Sequence, residues 1–298
     1  MAVTIGVIGL GIMGGTFARH LLEAGERVLG CDPDPAKMAR FTAAGGIAAA
    51  SPAQMAREAR VILTLLPSEA ALEAVVDGPD GLCASGATGF ILVECGTLSL
   101  EAKTRASERL AAIGAEMLDC PISGTGQQAA NKDLSFYASG REESVETVRP
   151  VLARIGRDVF YLGAFGNGIK TKFIANLLVA IHNVAAAEAL TLARKAGLDV
   201  EQVLATVAPG AGGSRMLQVR GPMMIAGSYG EGDSARLDVF RKDLRLISAF
   251  CAESGGVAPV FNLCSQLYHA AIAQGLEAQD PGAVCRVIEH MSGLDREG

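Results

Sequence analysis

Short apolar runs alternate with amphipathic stretches through the first half of the chain. Residues 3–8, 27–32, 61–66 and 89–94, with a shorter run near Ile47, are bounded by Gly, Pro or Asp and read as buried strands. Helical spacing follows each of them: to about Ala24, then over residues 35–44, 51–58, 69–76 and 99–113. Strands and helices alternating over about 110 residues predict a parallel sheet wound on both faces. A strand that begins at Ala115 comes next, and strands at 134–139 and 158–162 flank a helix over 142–155.

From Gly168 onward the strand signals vanish. An apolar run from Leu177 to about Ala193 extends a helix of about 28 residues, roughly 42 Å long at 1.5 Å per residue. Further helices are predicted at 199–207, 214–226, 237–254, 259–274 and 281–291. The switch from alternation to helices alone sets a boundary near residue 163. The expected architecture is α/β, a Rossmann-type doubly wound parallel sheet over 1–163, followed by an all-α domain over 164–298 joined through the long interdomain helix. At about 100° per residue, Lys172, Asn176 and Asn183 fall within roughly 40° of one another on that helix, and Lys170 points some 160° away. Two readings of this polar stripe are open. Either water, a ligand or other polar groups face it, or Lys172 reaches the surface and the asparagines bond neighbouring backbone.

Composition narrows the function. Half of the 298 residues are hydrophobic and 19% are charged, with a net charge of −6 and a pI near 5.3. Clustered Lys and Arg are missing, which argues against nucleic acid or an anionic membrane as partner. Residues 173–193 approach the length of a membrane span, but Asn176, His182, Asn183 and Glu188 interrupt them, which fits a buried helix better. The seven cysteines show no CxxC pair and the four histidines no ligand spacing, so no metal site is expected. Scattered thiols and the absence of a signal-peptide pattern at the start of the chain give the expectation of a cytoplasmic protein.

Candidate chemistry begins at Gly9-Leu10-Gly11-Ile12-Met13-Gly14, between the first strand and the first helix. In this dinucleotide fingerprint Gly9 permits a tight turn, Gly11 lets a pyrophosphate approach the backbone, and Gly14 allows the helix to pack on the strand. The helix N-terminus adds free N–H groups and partial positive charge. Asp32 ends the second strand 18 residues after Gly14. Its carboxylate can accept both ribose hydroxyls and would repel a 2′-phosphate, so NAD is the predicted cofactor. Asp34 adds to the repulsion, and Pro33 stands where an arginine would offset it. Leu66, Pro67 and Thr97 follow the carboxyl ends of two strands, where ligands of such sheets bind. The loop Ser123-Gly124-Thr125-Gly126 could receive a carboxylate on its N–H groups and hydroxyls, and a plain turn would look similar. Arg215 could face the same carboxylate or simply start a helix at the surface.

Four separated blocks together resemble the β-hydroxyacid dehydrogenases, the group that includes 3-hydroxyisobutyrate dehydrogenase. They are the fingerprint; Asp119-Cys-Pro-Ile-Ser123-Gly124, similar to the family's Asp-x-Pro-Val-Ser-Gly-Gly; Gly166-x-Gly168-x-x-x-Lys172-x-x-x-Asn176; and Lys242-Asp243-Leu244. The resemblance implies that Lys172 acts on the hydroxyl proton, that Asn176 and the Ser123-Gly124 loop hold the substrate, and that Lys242 serves the nicotinamide end of the cofactor. It further implies that Leu66, Pro67 and Thr97 line the cofactor cleft. Thr125 stands where the family has a second glycine, which points to a narrower, more polar substrate pocket. A lysine partly withdrawn from water has a lowered pKa and can take the hydroxyl proton as hydride leaves for NAD. The expected activity is oxidation of a small 3-hydroxy acid. Reduction of short aldehyde acids such as glyoxylate, succinic semialdehyde or tartronate semialdehyde is the alternative, and a scaffold without catalysis a further one. The expected assembly is a homo-oligomer, a dimer or tetramer.

Overall fold

A computed structural model describes residues 4–230 and 236–294; Val3, predicted as the first strand residue, lies outside the described residues. The chain divides into two compact units, Met1–Lys172 and Phe173–Gly298.

In the first unit six strands make one parallel sheet: β1 Thr4–Ile8, β2 Arg27–Cys31, β3 Ile47–Ala48, β4 Val61–Thr64, β5 Ile91–Glu94 and β6 Glu116–Asp119. Their order across the sheet is β3-β2-β1-β4-β5-β6, so the chain leaves β1 toward one edge and resumes at β4 toward the other. Between them run α1 Ile12–Glu23, α2 Pro35–Ala43, α3 Pro52–Glu58, α4 Glu69–Asp77 and α5 Leu100–Ala112, with a 3-10 turn at Leu82–Ser85. Because successive strand side chains point to opposite faces, the continuous apolar runs supply two cores at once. Ile5, Val7, Val61, Leu63, Ile91 and Val93 face one of them, with Phe17 and Leu21 of α1. Ile8, Ile62 and Leu92 face the other, with Met55, Leu72 and Leu110. Ser51, Ser68 and Ser99 each accept a backbone N–H at the start of the following helix, which explains why α3, α4 and α5 begin where they do.

The strands beyond β6 do not extend this sheet. After Asp119 the chain passes through Cys120 and Pro121 into β7 Ile122–Ser123, which pairs antiparallel with β8 Ser135–Ala138; β8 pairs in parallel with β9 Asp158–Tyr161. A proline cannot donate to a ladder, so the strand cannot continue through residue 121 in register. An isolated bridge between Asp119 and Ser139 ties the two sheets together. A short helix, α6 Gly126–Ala130, occupies what reads in sequence as loop, and α7 Glu142–Leu152 joins β8 to β9. Thr125 and Gln128 form a reciprocal capping box that nucleates α6.

The division between units falls within α8 Asn167–Lys195, which begins one residue after Gly166. The second unit continues with α9 Val200–Val207, α10 Arg215–Ala226, α11 Leu237–Ser254, α12 Pro259–Ala273, a 3-10 turn at Pro281–Ala283 and α13 Val284–Met291. By length and apolarity α8 would qualify as a membrane span. Its buried amides are bonded to neighbouring helices, as in the core helix of a globular unit. Asn183 donates to the Tyr268 hydroxyl at 3.1 Å and accepts from Arg220 at 3.2 Å, and Tyr268 donates to the Ala180 carbonyl. Arg220 in turn grips Asp280 through two bonds, of 2.6 and 3.2 Å. Asn183 is therefore a structural member of the polar stripe, held by side chains of α12 and α10 and not by adjacent backbone.

Candidate active site

The fingerprint glycines each meet the constraint their spacing implies. Gly9 has φ +88°, and a Cβ there would lie 2.4 Å from the Leu65 carbonyl oxygen. A Cβ on Gly14 would lie 1.8 Å from the Gly9 oxygen, so only glycine lets α1 pack this tightly on the turn. At Gly11, by contrast, no atom lies within 4 Å of the Cβ position. That open space sits at the N-terminus of α1, which no side chain caps. An unobstructed backbone with uncapped N–H groups fits a pyrophosphate.

Asp32 is tied into this turn. Its carboxylate accepts the Leu10 N–H at 2.7 Å and the Asp34 N–H at 2.9 Å, and its side chain is only 4% exposed. The helix cap of α2 is Asp34, which accepts the Ala36 N–H. The first turn of α2 also folds Lys37 back to 3.5 Å from Asp32 and 3.8 Å from Asp34. Sequence reasoning sought a cation directly after the strand and missed this one, which is brought back by a helical turn.

Leu66 and Thr97 are half-buried and Pro67 is exposed. They follow β4 and β5 at the carboxyl edge that carries the fingerprint, although β4 ends at Thr64 and not at Leu66. The loops after β4 and β5 touch, since a Cβ on Gly96 would lie 3.3 Å from the Leu66 oxygen. Ser123 and Gly124 lie beyond β6 on the small sheet, Ser123 half-buried and Gly124 exposed with φ +140°. Thr125 departs from expectation. Its N–H donates to Gln128 Oε1 at 3.1 Å and its hydroxyl accepts the Gln128 N–H at 3.4 Å, so both groups expected to face a substrate serve the cap of α6.

Lys172 is half-buried near the start of α8. The start of this helix is bonded to the end of β6. Ile169 N–H donates to Asp119 Oδ2 at 2.7 Å, and Gly168 N–H donates to Ser139 Oγ at 2.9 Å. Ser139 Oγ lies 3.1 Å from both the backbone oxygen and Oδ2 of Asp119. There is no room at Gly168 for a side chain, because a Cβ would stand 2.3 Å from the Tyr137 oxygen and 2.9 Å from Asp119 Oδ2. The spacing Gly166-x-Gly168-x-x-x-Lys172 thus has a physical origin: φ +90° at Gly166, close approach at Gly168, then one turn to the lysine.

Behind Asp119 stands Lys103 of α5, fully buried, with Nζ 2.7 Å from Asp119 Oδ1 and 2.6 Å from Glu94 Oε2. Burial pushes the Glu94 carboxyl above its usual range, and Lys103 and the Gly96 N–H only partly offset this. For Lys103 burial acts downward, but Asp119 and Glu94 outweigh it and raise the ammonium. Nothing in the sequence spacing points to this triad, whose members lie on three different elements.

In the second unit, Asn176 is buried and its Nδ2 donates to Asp243 Oδ2 at 2.9 Å. Lys242 is half-buried, its Nζ 3.8 Å from Asp243 Oδ1. Asp243 is the middle residue of the Lys-Asp-Leu block, and that block was the only sequence signal for it. Arg215 is exposed at the start of α10, behind the Ser214 cap. Among the described residues no group of three or more His, Cys, Asp or Glu is placed to hold a metal ion.

Comparison with known proteins covers both units. Residues 4–163 match the NAD binding domain of 6-phosphogluconate dehydrogenase, and residues 166–288 match the NAD-binding domain of NADP-dependent 3-hydroxyisobutyrate dehydrogenase. The chain is 35% identical to L-threonate dehydrogenase of Cupriavidus necator, over 97% of each chain. It is 32% identical to 3-hydroxyisobutyrate dehydrogenase of Pseudomonas aeruginosa, over 89% of this chain and 90% of that one. Among solved structures, 3-hydroxyisobutyrate dehydrogenase of Mycobacterium tuberculosis with L-serine superimposes with a TM-score of 0.87 at 26% identity, over 97% of this chain and 99% of that one.

Proposed function

The chain belongs to the β-hydroxyacid dehydrogenase family, a nicotinamide-dependent oxidoreductase acting on the CH–OH group of a hydroxy acid, and from that premise we propose that it oxidises a small, polar 3-hydroxy acid with NAD, using Lys172 as general base. The observation that carries this reading is the placement of Lys172. It sits half-buried on a helix whose start is bonded to Asp119, at the same carboxyl edge of the sheet as the fingerprint.

When bound, NAD supplies the hydride acceptor. The open backbone at Gly11 and the uncapped start of α1 would hold its pyrophosphate, Asp32 would take the ribose hydroxyls, and Leu66, Pro67 and Thr97 would line its cleft. Lys172 accepts the hydroxyl proton as the carbonyl forms and returns it in the reverse direction. Ser123 and the N–H groups of its loop hold the substrate carboxylate, while Thr125 shapes that loop through α6. In the second unit Asp243 fixes the amide nitrogen of Asn176, and the family resemblance assigns Asn176 a role toward the substrate and Lys242 one toward the nicotinamide end. L-Threonate, 3-hydroxyisobutyrate and L-serine are the first substrates to assay, because they are named for similar proteins. Lys172→Ala is expected to keep NAD binding and lose about 10²–10⁴-fold in turnover, the usual worth of general base catalysis. A variant with wild-type turnover would refute the assignment.

Asp32 supports NAD over NADP, through its charge at the ribose end. Lys37 favours the second reading, an NADPH-linked reductase of short aldehyde acids, because its ammonium partly offsets Asp32 and Asp34. The ratio of kcat/KM for NAD to that for NADP decides between them: at least about tenfold in favour of NAD, or 1.4 kcal/mol, is expected. A ratio below one would refute the preference for NAD and favour the reductase reading, which turnover of glyoxylate or succinic semialdehyde with NADPH would then test.

The seven cysteines are free thiols, which supports a reducing, cytoplasmic setting. A homo-oligomer is the proposed assembly, which would cover exposed apolar side chains of the second unit such as Leu192, Leu263 and Met291, and light scattering tests it.

A further inference from the structure

We propose that Lys103, Asp119 and Ser139 are positioning residues that fix the first turn of α8 and through it the reach of Lys172. The inference rests on the reading of Lys172 as the proton acceptor. It begins at Gly168, where the helix start lies so close to β6 and β8 that no Cβ fits. Water is excluded from such a contact, yet the first N–H groups of a helix need acceptors. Asp119 and Ser139 supply them, at 2.7 and 2.9 Å. A carboxylate buried there needs a counter-charge, and Lys103 provides it from α5 at 2.7 Å. Glu94 completes the arrangement on the other side of the ammonium at 2.6 Å.

Stability alone does not call for such a cluster, since well-packed apolar residues commonly replace a buried ion pair without loss. What the charged set adds is direction: Lys103 holds Asp119 Oδ1, and Asp119 Oδ2 takes the Ile169 N–H of the helix. Lys172 stands three residues beyond Ile169, about 4.5 Å along the axis at 1.5 Å per residue. Loss of the tether would let the first turn fray or shift. Proton transfer needs heavy atoms about 2.6–3.2 Å apart, and a displacement of about 1 Å is enough to lower a rate about 10²-fold.

The test compares the full-length wild type with Asp119→Asn, Ser139→Ala and Lys172→Ala, using NAD and whichever of L-threonate, L-serine and 3-hydroxyisobutyrate turns over fastest. Asp119→Asn is expected to lower kcat about 10²-fold and Ser139→Ala about tenfold, while the Kd for NAD stays within about twofold, because the fingerprint is untouched. Independently of activity, hydrogen exchange should quicken in the peptide covering residues 164–172 and stay unchanged over residues 4–18. Wild-type kcat and exchange in Ser139→Ala, which removes one hydroxyl and keeps the charged set, would overturn the proposal even if Asp119→Asn fails to fold. A weakening of NAD affinity in proportion to kcat would also overturn it, as the mark of general structural damage. If Lys172→Ala keeps its turnover, it is the proton-transfer reading that fails. If Lys172→Ala is inactive while the other two variants match the wild type, only the tether fails.

Discussion

Replacing Lys103 by Met tests the electrostatics of the first unit. The side chain is fully buried, and methionine fills nearly the same volume, so the change removes a charge and leaves no large cavity. Glu94 and Asp119, both 0% exposed, would then face each other without the ammonium that sits 2.6 and 2.7 Å from them. Removing one partner of a buried ionic cluster costs about 3–5 kcal/mol. A unit of this size loses about 2–4 °C of Tm per kcal/mol, so the expected fall is about 6–20 °C. The loss depends on pH. Glu94 already has a raised pKa in the folded protein, mainly from burial, and without Lys103 it should rise further. A carboxyl whose folded pKa lies above its unfolded one favours folding while protonated, and that contribution is lost as pH rises from the unfolded toward the folded value. The destabilisation should therefore be larger at pH 8 than at pH 5, and Glu94→Gln in the Lys103→Met background should recover part of it at pH 8. Thermal and urea unfolding at both pH values are the assays. A Tm unchanged from wild type, or a loss that grows toward low pH, would refute the reasoning.

Two further predictions concern glycine space and the second unit. Gly11→Ala places a methyl where nothing lies within 4 Å, so Tm should hold while NAD affinity falls. Gly14→Ala drives a methyl to 1.8 Å from the Gly9 oxygen and should lower Tm as well, as calorimetry and NAD titration would show. Arg220→Met removes the guanidinium that bonds both Asp280 and Asn183 Oδ1, and breaking this buried pair should cost about 3–5 kcal/mol in urea unfolding. Asp280→Asn in that background should recover part of the loss, and a cost below about 1 kcal/mol would show that the network is incidental to stability.

The strands, the helices and the fingerprint were legible because their signals are local. Apolar runs of four or five residues, serines at helix starts and glycines two and three apart are each read within one turn or one strand. The parallel, doubly wound sheet followed from alternation, while the strand order across it came only from the structure. The strands after β6 form a second sheet because Pro121 ends the ladder, and the capping pair Thr125 and Gln128 turns the expected substrate loop into a helix start. That pair also engages the Thr125 N–H and hydroxyl in the cap of α6, a role visible only in hydrogen-bond geometry.

The sequence by itself determined the class of molecule: a wound α/β sheet with a dinucleotide turn, an acid at the end of β2, and a lysine one turn into a long helix. Tertiary structure decided which distant groups meet. Lys103 reaches Asp119 across 16 residues, Ile169 reaches the same carboxylate across 50, and Asn183 meets Tyr268 across 85. Such meetings depend on strand register and on how helices pack, and chain spacing encodes neither. A buried charge must find its partner wherever packing brings one, because water is not there to take its place.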